Sequence, residues 1–270
     1  MIKKWHFFII LFGVFFITSC SKYQKILKGK DFDLKYETAV SLFEKGKYER
    51  ALPLFEELVP LFRGTDRAEK VYYYYCYSNY YLDFLYEASY HFKKFSNTYS
   101  SSKHAEETLF MSAYCHYLLS PIPSLDPTNT FNAINELQLF ANTYPQHELI
   151  DSTNTLMDRL RSKLEEKSYD NAKQYYKIYD YKAAIVALNN TLIDFPDTKH
   201  REELTLLILK SNYYLAINSI KEKKLERFNN TIEAYYTFVD SFKDSKYLKE
   251  AENYYNKTTE ELNKFKQDNL

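Results

Sequence analysis

Glycine and proline are scarce in this chain, which has 4 glycines and 7 prolines among 270 residues. Antiparallel β-sandwiches and barrels need many residues of both types in their turns, so this composition argues against those folds. The glycine-rich loops that hold nucleotide phosphates cannot be assembled from four scattered glycines either. The composition therefore predicts a helical protein that lacks a nucleotide-binding loop.

Net charge is also lacking, because 36 basic residues balance 36 acidic ones. A chain without excess positive charge has no electrostatic attraction for nucleic acid, so we expect no nucleic-acid partner. Aromatic residues, in contrast, are plentiful: the chain has 28 tyrosines and 20 phenylalanines but a single tryptophan.

The first twenty residues, MIKKWHFFIILFGVFFITSC, have the composition of a secretion signal. Two lysines precede an apolar run that is too short to span a membrane comfortably. The run ends in Ile-Thr-Ser-Cys, which resembles the bacterial lipobox, in which the cysteine is acylated and becomes the first residue of the mature chain. We therefore expect residues 1–19 to be removed and Cys20 to carry covalent lipid, with no other cofactor. The alternative is an ordinary cleaved signal followed by a chance cysteine.

The residue after the lipobox cysteine bears on localisation. An aspartate there often retains lipoproteins of this type at the inner membrane, and this chain has Ser21 instead. The sequence therefore favours lipid anchoring at the periplasmic face of the outer membrane. Residues 20–32 form a lysine-rich tether, which is predicted either to be a solvated linker or to assist binding to anionic lipid.

A repeated pattern dominates the rest of the chain. Five segments of 15 residues start at positions 48, 85, 130, 181 and 228. In each, positions 1, 4, 8, 11 and 15 follow the spacing of one face of an α-helix. The fourth position is always small and the fifteenth always aromatic. The small residues are Ala51, Ala88, Ala133, Ala184 and Thr231, and the closing aromatics are Phe62, Tyr99, Tyr144, Phe195 and Phe242.

Each segment has an upstream partner that also carries a small residue. These residues are Ala39, Cys76, Ala113, Ala172 and Ser211. In the third and fifth copies the partner lies eight residues further back, which predicts a longer connection, such as SPIPSLDPT at residues 120–128. Two antiparallel helices per unit with small residues at a fixed offset resemble the tetratricopeptide pattern.

The predicted fold is all-α: a superhelical stack of about five degenerate tetratricopeptide-like hairpins with a carboxy-terminal capping helix. Residues 33–145 contain units 1–3, and residues 146–267 contain units 4–5 and the capping helix. One long helix is expected over residues 147–178 and the capping helix over residues 245–267, followed by a frayed tail at residues 268–270. Cys76 and Cys115 are interpreted as buried, unpaired thiols, although a disulfide is the alternative in an oxidising compartment.

Aromatic residues recur at the positions of the first helices that face the concave side in this architecture. Such a strip is suited to binding an extended peptide, because tyrosine offers a large contact area with few torsions. Packing between tight superhelical turns is the alternative explanation. The candidate groove residues are Tyr36, Tyr73, Tyr77, Tyr80, Phe110, Tyr114 and Tyr117.

The lipobox, the five divergent units and three sequence blocks together resemble one family. The blocks are KYETAVSLFEKGKYERALPLFEEL, GTDRAEKVYYYYCYSNYYL and LDPTNTFNAINELQLFANTYP. The chain is similar over nearly its whole mature length to the BamD family, also called YfiO or ComL, and particularly to its Bacteroidetes branch. These proteins are lipoproteins of outer-membrane assembly.

The resemblance implies a scaffold of the β-barrel assembly machinery and no enzymatic activity. The amino-terminal units would recognise the targeting strands of unfolded outer-membrane proteins, and the carboxy-terminal units would dock on the BamA periplasmic domains. The residues themselves also give no indication of catalysis, since the six histidines show no paired ligand spacing and the adjacent acidic pairs point apart. Two other binding functions remain open: a generic adaptor for another envelope client, such as a cell-wall enzyme or protease, and a glycan-binding lipoprotein, against which the scarcity of tryptophan argues.

Overall fold

The computed structural model describes residues 22–268, which form helices joined by short connections, with no strand among those residues. Cys20, the predicted signal segment and the last two residues lie outside the described part. A short helix over residues 22–27, which we call the tether helix, precedes eleven longer ones. These are α1 (Phe32–Glu44), α2 (Tyr48–Leu61), α3 (Ala68–Tyr81), α4 (Leu85–Thr98), α5 (Ala105–Leu119), α6 (Thr128–Thr143), α7 (Ile150–Lys177), α8 (Tyr181–Asp194), α9 (Arg201–Ile217), α10 (Lys221–Ser241) and α11 (Leu248–Gln267).

The ends of the second helices confirm the repeat. In all five copies the predicted closing aromatic is the C-cap residue, and its N–H donates to the carbonyl four residues earlier. This bond satisfies one of the carbonyls that a helix end leaves without a partner. The long helix predicted over 147–178 is α7, and the predicted capping helix is α11.

The ten small residues of the pattern are all fully buried. On α8, Ala184 packs in one cluster with Ala172 of α7 and Leu188. On α6, Ala133 lies in another cluster with Ala113 of α5 and Leu160 of α7. A small side chain lets two helices approach closely, so these positions hold the hairpins together as predicted. The consecutive packed hairpins confirm the tetratricopeptide-like fold.

Long connections were predicted in the third and fifth hairpins, and only the third hairpin has one. In the third copy the connection is long, because α5 ends at Leu119 and α6 begins at Thr128. In the fifth copy α9 ends at Ile217 and α10 begins at Lys221, so only three residues lie between them. The prediction of a longer connection there is wrong, because two lengthened helices absorb the eight extra residues.

The described chain divides into two compact units. One contains residues 22–121 and 127–160, and the other contains residues 122–126 and 161–268. In the second unit the ammonium of Lys167 donates to the carbonyls of Pro123, at 3.2 Å, and Leu125, at 2.8 Å. The proline-rich segment is therefore fixed to the second unit. The predicted functional division after residue 145 stays a prediction.

Candidate protein-binding surface

The candidate groove residues lie on the first helices of the first three hairpins: Tyr36 on α1, Tyr73, Tyr77 and Tyr80 on α3, and Phe110, Tyr114 and Tyr117 on α5. Tyr77 is 9% exposed, and the other six are half-buried. They pack on the hydrophobic core from one side and keep part of each ring accessible. These seven residues are called the aromatic strip below.

The rings of the strip are ordered along α3 and along α5. Tyr114 lies parallel to Phe110, with ring centroids 5.9 Å apart, and parallel to Tyr117 at 5.8 Å. On α3, the rings of Tyr73 and Tyr77 are 4.8 Å apart. The strip is therefore two local aromatic ladders.

Tyr36 does not join these ladders. Its ring contacts Phe62 at 5.9 Å and lies 4.9 Å from the guanidinium of Arg67. The described aromatic contacts between α1 and α3 run instead through Phe43, which stacks on Tyr74 at 4.4 Å and lies 6.2 Å from the ring of Tyr81. This pairing of neighbouring first helices was not predicted, because the sequence placed Tyr74 outside the groove-facing positions.

The carboxylate of Glu107 holds the α3 ladder in place. Tyr73 donates its hydroxyl hydrogen to both carboxylate oxygens at 3.0 Å, and Tyr77 donates to Oε1. Burial raises the pKa of both hydroxyls, and the negative charge of Glu107 raises it further, so both stay protonated. Nδ1 of His104 lies 3.2 Å from Oε2, and its ring is 4.3 Å from that of Tyr73. Two tyrosines of the strip are therefore fixed in position before any ligand arrives.

An open cleft of about 520 Å³ lies beside this network. Its walls carry charges of both signs together with two tyrosine rings. It is lined by Asp66, Glu69, Lys70, Tyr73, Tyr74, Lys103 and His104. The cleft offers polar partners for a peptide backbone next to an aromatic surface.

The second unit contains the same arrangement at the same spacing. Tyr169 donates to Glu203, 34 residues later, as Tyr73 does to Glu107. The ring of His200 stacks on Tyr169 at 3.8 Å. Where the first unit has Tyr77, the second has Lys173, whose ammonium donates to Glu203 at 2.7 Å. We call this set of contacts between successive hairpins the glutamate joint.

Charge replaces aromatic surface in the joint of the second unit. Burial opposes ionisation of Glu203, but hydrogen bonds from Lys173 and Tyr169 lower its pKa, and the bond to Glu203 raises the pKa of Lys173. The carboxylate of Glu166 lies 3.3 Å from Nε2 of His200. Lys173 and Glu166 therefore have partners within the fold.

Sequence reasoning missed an exposed aromatic pair on α4. Tyr86 and Tyr90 are 57% and 59% exposed. They lie four residues apart, on the side of the helix away from the buried Ala88 and Phe92. The two tyrosines lie two residues before and two residues after the small residue Ala88, and this spacing could have predicted their exposure. The prediction did not use it because it considered only the first helix of each unit.

The structure shows the two predicted thiols buried and unpaired. Both belong to the core cluster around Phe92. Burial raises the pKa of Cys115 to about 12 and also raises that of Cys76, so neither is a thiolate at neutral pH.

In residues 22–268 no group of three or more histidine, cysteine or acidic side chains is arranged to hold a metal ion. Each helix in that range is too short or too polar to span a lipid bilayer.

Comparison with known proteins agrees with this architecture. The family model of YfiO, described as outer membrane lipoprotein, matches residues 30–228. A protein of Aquifex aeolicus (strain VF5), which carries the provisional name outer membrane protein assembly factor BamD, is 26% identical over 255 residues. That alignment covers 90% of this chain and 80% of the relative. Since the family match spans well over half of the 270 residues and confirms the resemblance seen in the sequence, the chain belongs to the YfiO family of outer membrane lipoproteins.

Proposed function

We propose that this lipoprotein is a non-catalytic scaffold that helps β-barrel proteins to insert and fold in the outer membrane. Its first three hairpins bind the targeting strands of unfolded outer-membrane proteins, and its later hairpins dock on the BamA periplasmic domains. Lipid on Cys20 holds it at the periplasmic face. The similarity to a relative named as an outer membrane protein assembly factor supports the general role.

The aromatic strip is the observation that supports peptide binding by the first unit. Its rings, of which all but Tyr77 are half-buried, are held in place by the core and, on α3, by Glu107. A ligand therefore does not have to order them, which lowers the entropic cost of binding. Targeting strands end in aromatic residues, and offset ring contacts with the Tyr114 ladder suit such an end.

A peptide-binding measurement tests this proposal. The mature chain is titrated with a peptide from the last strand of an outer-membrane barrel. The double variant Tyr114→Ala/Tyr117→Ala leaves the Glu107 network intact and should weaken binding at least about tenfold, as loss of an aromatic hot spot does. The matched control, Tyr86→Ala/Tyr90→Ala, removes two tyrosines from α4 and should bind as wild type does. If the double variant and the wild type are both folded and bind with equal affinity, peptide binding by the aromatic strip is ruled out.

Affinity capture from detergent-solubilised envelopes tests the partner. Recovery of BamA supports the assembly role. Recovery of a cell-wall enzyme or protease without BamA identifies the chain as an adaptor for another client and contradicts the proposal.

A further inference from the structure

The tether helix is an ordered part of the first unit. Its last turn is closed by the N–H of Lys28, which donates to the carbonyl of Gln24 at 3.1 Å, and by the N–H of Gly29, which donates to Ile26 at 3.1 Å. A Cβ atom on Gly29 would lie 2.9 Å from the carbonyl oxygen of Lys25. The close turn at the end of this helix therefore requires glycine.

One side of the tether helix is docked on the first hairpin. Tyr23, Ile26 and Leu27 pack against the core cluster formed by α1, α2 and α3. The hydroxyl of Tyr23 donates to the carbonyl of Arg50 at 2.9 Å, and the guanidinium of Arg50 lies 4.5 Å from the tyrosine ring. A fully solvated linker, one of the two predicted alternatives, is therefore wrong for this segment.

A buried lysine fixes the end of the tether helix. Lys35 of α1 is 0% exposed. Its ammonium donates to the carbonyl of Leu27 at 3.0 Å and to Oε2 of Glu57 at 2.6 Å. A buried ammonium needs such partners, and the carbonyl end of a helix favours positive charge. Lys35 thus joins the tether helix, α1 and α2.

The other side of the tether helix is basic. Lys22, Lys25 and Lys28 are exposed, and none of them forms an ion pair within residues 22–268. At about 100° per residue, the three lysines fall in one sector of about 120° that faces away from the docked apolar side. Docking therefore leaves three ammonium groups side by side and without a protein partner in the described chain.

From this geometry we infer that the basic face of the tether helix binds the anionic phospholipid headgroups of the leaflet that holds the acyl anchor. The inference rests on the proposed lipidation of Cys20 and is independent of the aromatic strip. Two residues of extended chain span only about 7 Å, so Lys22 is held close to the headgroups. Juxtamembrane lysines are attracted to an anionic leaflet within a Debye length of about 8–10 Å. Because Lys35 fixes the helix, this binding also orients the first hairpin.

Hydrogen exchange of the acylated mature protein in vesicles tests the inference. Vesicles of phosphatidylcholine alone are compared with vesicles that contain phosphatidylcholine and phosphatidylglycerol at a ratio of about 7:3. The tether amides should exchange at least roughly fivefold more slowly on the anionic vesicles, and about 1 M salt should remove the difference. The mass of the amino-terminal peptide shows independently whether Cys20 is acylated.

Three variants separate lipid binding from docking. Lys22→Gln/Lys25→Gln/Lys28→Gln should lose the slowing on anionic vesicles and keep the exchange rate seen on neutral ones. The matched control, Lys221→Gln/Lys223→Gln/Lys249→Gln, removes three exposed lysines of the second unit and should behave as wild type. Lys35→Met should speed exchange of the tether on neutral vesicles, because the bond to Leu27 is lost. Equal exchange of wild type on both vesicle types, or an equal loss of slowing in the control variant, would overturn the inference.

Discussion

Tyr77 and Lys173 occupy the same place in two copies of the glutamate joint. Each lies four residues after a tyrosine that donates to a glutamate, and each donates to that same glutamate. The acceptor is kept while the donor changes from a phenol to an ammonium. The joint in the first unit is thereby closed by the buried phenol of Tyr77, and the joint in the second unit by an ion pair. The two units share this joint but close it with different chemistry.

The ion pair of the second joint should make stability depend on pH. The pKa of Glu203 is lowered from 4.5 and that of Lys173 is raised from 10.5. The pair therefore stabilises the fold at pH values between 4.5 and 10.5. This contribution is lost as pH falls through the lowered pKa of Glu203 or rises through the raised pKa of Lys173. Glu203→Gln should lower the free energy of unfolding at pH 7 by about 1 kcal/mol, a value limited by solvent screening.

The measurement is urea unfolding at pH 7 and at pH 3. The difference between wild type and Glu203→Gln should shrink at pH 3, where Glu203 is protonated in the unfolded chain. Glu226→Gln, which changes an exposed glutamate of α10, serves as the control and should match wild type at both values. If the effect of Glu203→Gln on the free energy of unfolding is the same at both pH values, the charge of Glu203 does not contribute to stability.

The small residues of the repeat should tolerate no enlargement. Ala184 is fully buried between α7 and α8, so a leucine there would force the helices apart. We expect Ala184→Leu to lower the free energy of unfolding by about 1–3 kcal/mol. Asn190→Leu adds a leucine at an exposed position of the same helix and should have little effect. Similar losses for the two variants in urea unfolding would contradict the close-approach argument.

The two buried thiols should be unreactive in the folded protein. Maleimide at pH 7 should label neither Cys76 nor Cys115, because both are buried and burial raises the pKa of both thiols. After unfolding in guanidinium chloride, mass spectrometry should find a label on both Cys76 and Cys115. Labelling of the native protein would show that the α3–α5 core opens.

Acylation of Cys20 should be abolished by a single substitution. Radiolabelled palmitate should mark the wild-type protein in cells and not Cys20→Ala, because only a thiol forms the thioether that carries the lipid. Cys115→Ala serves as the control and should be labelled like wild type. Equal labelling of Cys20→Ala and wild type would refute the lipobox assignment.

The repeat was predictable because its signal is local. A small residue and a closing aromatic at helical spacing recur five times, and burial at Ala51 or Ala133 follows from the geometry of one hairpin. The fifth connection was mispredicted because sequence spacing alone does not distinguish a longer loop from longer helices. In α10 the charged first turns simply extend the helix.

The glutamate joint was not predictable in the same way. Tyr73 and Glu107 are 34 residues apart, and their meeting depends on how one hairpin packs on the next. Tyr77 was therefore read as a groove residue, although most of its surface is buried. The docked tether helix did leave a signal, since Tyr23, Ile26 and Leu27 have the spacing of one helix face. Its shortness concealed it, because six residues do not form a stable helix alone.

The bond from Lys35 to Leu27 has a mechanical consequence. Under the proposed acylation of Cys20, the docking of residues 22–27 leaves only about two residues, or roughly 7 Å of extended chain, between the lipid and the folded protein. A linker of that length would keep the first hairpin at a nearly constant distance from the leaflet. Force that a proposed partner exerts on the hairpins would then reach the bilayer directly, because no long linker could extend first.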